Sequence, residues 1–135
     1  MRFSHRAAIL AALTCSISHP AFALHRTPMR ALDGYRCMAL DAPERVMMDF
    51  RHPIPLQSEP RDGAPSIAPA LAVLPIATDA PSTNGYVRSM TLALRPGWVS
   101  TRWLKPYDAV HPGMTCTPYV MNDGKLGFVF GRATQ

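Results

Sequence analysis

The chain has 135 residues, with 14 Lys or Arg against 9 Asp or Glu and a formal net charge of +5 at pH 7. This length suffices for one small domain, and so mild a basic excess gives little support for nucleic-acid binding, so we expect no nucleic-acid partner. The 14 prolines exclude long helices, because each proline fixes φ and removes an amide donor.

The first 23 residues have the layout of a secretory signal peptide. Arg2 and Arg6 precede an apolar stretch at 7–17, and an Ala-Phe-Ala triplet at 21–23 provides the small residues of a cleavage site. The apolar run is well short of the roughly 20 residues that cross a bilayer. We therefore expect cleavage after Ala23, a periplasmic or secreted protein and no stable membrane span after cleavage. An uncleaved anchor is the alternative.

The cysteines indicate one disulfide. Cys15 lies within the signal peptide, and Thr14 before it fits a lipidation box poorly, although lipidation of Cys15 is an alternative. Cleavage leaves Cys37 and Cys116, an even pair in a compartment where thiols oxidise. Their bond would close a loop of about 80 residues, which the chain-entropy description associates with roughly 4 kcal/mol. Two unlinked thiols are the other possibility.

The first half of the mature chain is typical of short extended segments separated by turns. We expect a flexible leader over 24–34, then a strand in "YRCMAL" that contains Cys37. "DAPERVMMDF" ends in an apolar cluster, and the proline-rich stretch at 51–66 is predicted to be extended, with a turn at Asp62-Gly63. In 67–77, Pro69 and Pro75 favour two strand pieces joined at a bend.

The second half carries clearer strand signals. "YVRSMTLAL", 86–94, alternates large and small side chains and is predicted to be a strand; "WVS" begins another after Pro96-Gly97. Ser100 precedes too few residues for an α-helix, so a single 3₁₀ turn is expected at 100–103. Near the C-terminus, Asn122-Asp123-Gly124 separates two alternating runs, which is a strong β-hairpin signal.

These segments together resemble a known family. "IPLQSEPRDGAPSIAPAL", a turn-rich middle, "GYVRSM" and "GWVSTRWLKPY" are similar to the bacterial SH3-like (SH3b) domain family over about 46–107. The resemblance implies a small SH3-like β-barrel. Together with the proline pattern and the hairpin signal, which lies outside the shared region, we expect a mainly β fold over 35–135 with an added C-terminal β-hairpin and few or no helices. Trp98 and Val99 would lie on the penultimate barrel strand, 100–103 in the 3₁₀ turn, and 104–107 on the last strand.

The same resemblance implies a function. SH3b barrels commonly bind short peptides or cell-wall material in a shallow aromatic groove, which makes Tyr86, Trp98, Trp103 and Tyr107 the candidate ligand-binding residues. Such side chains suit an exposed groove because they combine an apolar body with a polar group, although they suit a small core equally well. We therefore expect an exported, non-enzymatic interaction module whose partner is peptidoglycan peptide or an envelope protein. The oligomeric state stays open.

Other chemistries have weaker support in the sequence. His25, His52 and His111 match no zinc spacing, and we expect no metal and no cofactor. Met47 and Met48 with His52 could hold Cu(I), so a small periplasmic copper carrier is an alternative, but core packing of the two methionines is preferred.

Catalysis is likewise the less favoured interpretation. Cys116 could serve an envelope enzyme or inhibitor, although a disulfide would remove its thiolate. Two carboxylate pairs, Asp41 with Glu44 and Glu59 with Asp62, fall in turn-like segments where solvated loops explain them. We name no catalytic residue.

Overall fold

The computed structural model describes residues 25–134, so the predicted signal peptide at 1–23 lies outside the described residues. Over the described range the protein is mainly β, as the sequence predicts, with ten strands in three antiparallel sheets and two four-residue helices. The strands are β1 Pro28–Ala31, β2 Tyr35–Leu40, β3 Pro55–Gln57, β4 Ser66–Pro69, β5 Val73–Ala77, β6 Tyr86–Met90, β7 Pro96–Ser100, β8 Leu104–Pro106, β9 Met114–Met121 and β10 Leu126–Arg132. The helices are α1 Glu44–Met47 and α2 Tyr107–Val110, and a 3₁₀ turn covers Thr101–Trp103.

The three sheets have simple strand orders. The first, β5-β2-β8, places β2 between two antiparallel neighbours, and the second has the order β4-β3-β7-β6. The third sheet has the order β1-β9-β10 and joins the N-terminal strand to the C-terminal hairpin. Among residues 25–134 no helix is long and apolar enough to cross a membrane.

Several local predictions are confirmed. The stretch 67–77 divides into β4 and β5, the 3₁₀ turn joins β7 to β8, and Asn122-Asp123-Gly124 connects β9 to β10. Helix α2 begins at Tyr107, so β8 ends one residue earlier than expected. The strand expected over 86–94 also ends early, at Met90, because a tight turn follows in which the Arg95 amide donates to Thr91 Oγ1 and Leu94 has φ of 61°.

The hydrophobic core lies between the first two sheets. Its buried members come from β2, β3, β5 and β7, and Leu56, Leu74 and Val99 are fully buried. The remaining members of this cluster are Met38 and Ile76. Burying a leucine or valine side chain contributes about 1.5–3 kcal/mol, so these few residues account for much of the stability of the two sheets.

The predicted disulfide is present. The Sγ atoms of Cys37 and Cys116 are 2.01 Å apart, and the two Cα atoms are 5.9 Å apart. Cys37 is buried on β2 and Cys116 lies on β9, so the bond joins the first sheet to the third. The C-terminal hairpin is therefore covalently attached to the domain, as the sequence suggests.

The leader differs from the expectation of a flexible segment. Residues 28–31 form β1, which pairs with β9. Side chains at the β9–β10 turn hold the segment: Arg26 donates to Asp123 at 2.8 Å, and the Thr27 amide donates to Asn122 at 3.1 Å. Apolar periodicity cannot reveal such a strand, because polar contacts to a distant turn attach it.

The methionine doublet also differs from its predicted packing. Met47 ends α1 and Met48 is its C-cap, so the pair lies in a helical turn rather than in a strand. Met48 is 59% exposed and Met47 is 36% exposed, and neither belongs to the core cluster. The prediction that these side chains pack in the core is wrong, because the helix is too short to bury a continuous face.

Candidate functional site

A cleft lies between the β3–β4 connection, the adjoining ends of β6 and β7, and the 3₁₀ turn. Its volume is about 240 Å³. Two of the four predicted aromatic residues, Tyr86 and Trp103, lie in its wall. The other lining residues are Pro55, Gln57, Asp62, Gly63, Ser100 and Arg102. The cleft therefore combines aromatic surface with one acidic side chain, one basic side chain and neutral polar groups.

Tyr86 is positioned by the turn that precedes it. Asn84 and Gly85 both have positive φ, 51° and 78°, a conformation that asparagine and glycine adopt most readily. Thr83 and Tyr86 exchange backbone hydrogen bonds of 2.8 Å around this turn. The Tyr86 ring is buried, and its hydroxyl donates a hydrogen bond to the Asp62 carboxylate, which raises the pKa of Tyr86.

Trp103 forms the opposite wall on the 3₁₀ turn. The turn is attached to the start of β6, because the Thr101 amide and hydroxyl both donate to the Gly85 carbonyl, at 2.9 and 3.0 Å. The Arg102 guanidinium lies over the Trp103 indole, 4.7 Å from the ring centroid. A cation held at this distance interacts with the π-face and stays at the rim of the cleft.

Trp98 extends the same aromatic surface along the sheet. It lies two residues before Ser100 on β7, and alternate residues of a strand share a face, so Trp98 continues the wall that Ser100 lines. Its cross-strand neighbours are Arg88 on β6 and Gln57 on β3. The Arg88 guanidinium is 5.1 Å from the Trp98 ring centroid, a second cation on an indole.

Tyr107 lies apart from these three residues. It begins α2, and its ring stacks on Phe130 of β10 with centroids 5.5 Å apart and contacts the His111 ring at 4.6 Å. It lines a different cavity of about 610 Å³, beside Cys37 and Cys116. The structure thus brings together Tyr86, Trp98 and Trp103 and places Tyr107 against the C-terminal hairpin.

Neither arginine of the site was singled out in the sequence, and Asp62 was considered only as a turn residue and as the partner of Glu59 in a solvated carboxylate pair. The guanidinium groups of Arg88 and Arg102 lie over the indoles of Trp98 and Trp103, and the Asp62 carboxylate accepts a hydrogen bond from the Tyr86 hydroxyl. In the sequence, Arg88 is recognisable only as one position of an alternating strand. The convergence of these charged residues depends on strand register and on the path of the β3–β4 loop, which residue spacing does not encode.

The cysteine and histidine side chains considered for catalysis or metal binding do not line the cleft. The disulfide occupies both Cys37 and Cys116, so neither provides a thiolate. His52 is exposed, and its Nδ1 lies 3.1 Å from the Asp49 carboxylate. In the part of the chain that the structure describes, no group of three or more His, Cys, Asp or Glu side chains could hold a metal ion.

Comparison of the chain with protein-family models, with curated proteins and with solved structures finds no match.

Proposed function

We propose that this chain is an exported, non-enzymatic interaction module of the SH3-like type, and that it binds short peptide from the cell wall or from an envelope protein. The order of β-strands from β2 to β8, with a 3₁₀ turn before the last of them, supports the SH3-like part of this proposal. The Cys37–Cys116 bond supports export, because disulfides persist in oxidising compartments.

The observation that carries the binding proposal is that Tyr86 and Trp103 line one cleft and Trp98 lies beside it on the same face of β7 as Ser100, with a guanidinium over each indole. The half-buried indoles of Trp98 and Trp103 offer apolar contact to an extended chain. Arg88 and Arg102 offer charge-assisted hydrogen bonds to carboxylates, which cell-wall peptides and acidic protein segments carry. A ligand of this chemistry is a short extended peptide with at least one free carboxylate.

The size of the cleft agrees with such a ligand. Its volume of about 240 Å³ is below the roughly 300–1,000 Å³ of pockets that enclose a small molecule. It can receive one or two side chains of a ligand whose remaining length lies across Trp98. Because contact area is then limited and the cations are at the rim, we expect modest affinity that falls with ionic strength.

The test is retention of the purified protein on intact peptidoglycan sacculi. Trp103→Ala removes one wall of the cleft and should lower retention about tenfold, equivalent to about 1.4 kcal/mol. Tyr107→Ala is the matched control, because it removes an aromatic ring from a part of the structure away from the cleft. Equal retention of wild type and Trp103→Ala, or an equal loss in both variants, would contradict the proposed site.

A further inference from the structure

Strand β10 is an open edge of the third sheet. It pairs with β9 from Leu126 to Arg132 without a register shift, and β9 is its one strand neighbour in residues 25–134. The Met121 amide of β9 donates to the Lys125 carbonyl, and the Ala133 amide donates to the Gly113 carbonyl. The backbone N–H and C=O groups of odd-numbered residues in β10 therefore face β9, and those of even-numbered residues face outward. At Leu126 the outward amide donates to the Leu92 carbonyl.

Beyond Leu126, the outward backbone groups belong to Phe128, Phe130 and Arg132. Within the described chain these amides and carbonyls have no hydrogen-bond partner. Only an extended backbone provides donors and acceptors at this alternate spacing, so the edge is suited to a further β-strand.

The other sheet edges carry features that discourage strand addition. Proteins protect edges with prolines, charges, bulges and short strands. A proline occurs in β1, β4, β5 and β8, and β1 and the β3–β4 pairing also have a register shift. Strand β6 has Arg88 at its centre. By contrast, β10 has no proline, no bulge and no charge before its last residue.

The side chains of β10 favour association as well. Phe130 is 49% exposed and Val129 is 38% exposed. Phe130 lies between Tyr107 and Phe128, with ring centroids 5.5 and 6.3 Å away. This row of stacked rings holds Phe130 in place at the edge, so little conformational entropy is lost when a second strand covers it.

We propose that two copies of this chain join through their β10 strands, antiparallel and centred on Phe130, to form one continuous sheet. The free edge is symmetric about Phe130, so each outward residue finds a matching backbone in the second copy. Phe130 meets the partner's Phe130, and Phe128 meets the partner's Arg132. No like charges oppose one another in this register, and each cation faces an aromatic ring.

The experiment is sedimentation velocity on the purified oxidised protein, over concentrations from about 10 to 1,000 μM, the range expected for a short interface. The wild type should change from monomer to dimer across this range. Phe130→Lys places two like charges at the symmetry axis and should weaken dimerisation at least tenfold. Thr117→Lys is the control, because Thr117 is exposed on the same sheet but on the central strand β9.

A second pair of variants tests the register. Phe128→Lys should weaken the dimer because the introduced ammonium group opposes the partner's Arg132, and adding Arg132→Glu should restore it. Circular dichroism of each variant checks that the hairpin is folded. A wild type that stays monomeric at the highest concentration overturns the proposal, and so does equal weakening by Phe130→Lys and Thr117→Lys. A double variant no stronger than Phe128→Lys alone overturns the register.

Discussion

The two sheets between β2 and β8 and the sheet β1-β9-β10 are stabilised in different ways. In the first region, buried side chains from β2, β3, β5 and β7 form one cluster around Leu56, Leu74 and Val99. In the second, Met121 and Leu126 are buried but lie outside that cluster. The first region has a hydrophobic core of its own, whereas the second depends on its attachments.

Those attachments are covalent and polar. The disulfide joins β9 to β2, and the Leu126 amide donates to the Leu92 carbonyl. Within the third sheet, Arg26 before β1 pairs with Asp123 of the β9–β10 turn. A small sheet with few buried side chains gains little from the hydrophobic effect, so such bonds decide whether it stays folded. Loss of one attachment should therefore affect the third sheet first.

The largest effect is expected from removing the disulfide. The bond spans 79 residues in the sequence, and a loop of this length corresponds to roughly 4 kcal/mol of stabilisation. A Cys37→Ser, Cys116→Ser double variant should unfold at a much lower denaturant concentration than the wild type. Urea unfolding followed by far-UV circular dichroism measures the difference, because both tryptophans lie outside the third sheet and would not report its unfolding. A midpoint unchanged within error would show that the hairpin sheet needs no covalent attachment.

Substitution of two buried leucines tests whether the core region and the third sheet unfold separately. Leu56 and Leu126 are both fully buried, one in the core cluster and one in the third sheet. Leu56→Ala should cost about 3 kcal/mol and expose the whole domain to hydrogen exchange. Leu126→Ala should mainly raise exchange in β9 and β10. Equal exchange patterns in the two variants would mean that both regions unfold as one unit.

The smallest effect concerns pH. The Arg26 guanidinium donates a hydrogen bond to Asp123 and lowers the pKa of that carboxyl. Since the folded pKa is lowered, the stabilisation is present above the unfolded value of about 3.9 and is lost as pH falls through the folded pKa. Amide protection in β1 should therefore drop only a few-fold on acidification, because the pair is exposed.

Asp123→Asn is the control for this effect. Its β1 amides should show low protection at every pH, since the amide side chain does not ionise. A wild type whose β1 protection stays the same from neutral pH down to pH about 2, well below the unperturbed value, would show that the ion pair does not hold the strand.

Much of the strand pattern could be predicted because its signals are local. Alternation defines β6, glycine with asparagine or aspartate marks the β9–β10 turn, and proline divides β4 from β5. The early end of β6 was missed because "TLAL" continues the alternation into a turn, where Leu94 takes a conformation usually left to glycine. Strand β1 was missed because it pairs with β9, near the other end of the described chain, and local periodicity does not encode so distant a partner.

The sequence alone determined a mainly β domain and its one disulfide, because proline content, period-two alternation and cysteine parity are properties of neighbouring residues or of composition. Only the tertiary structure decided which aromatics share a surface. Tyr86, Trp98 and Trp103 converge with Arg88 and Arg102, whereas Tyr107 packs on Phe130. That sorting depends on the register of paired strands and on the path of loops, since a shift of one residue would turn every side chain to the opposite face.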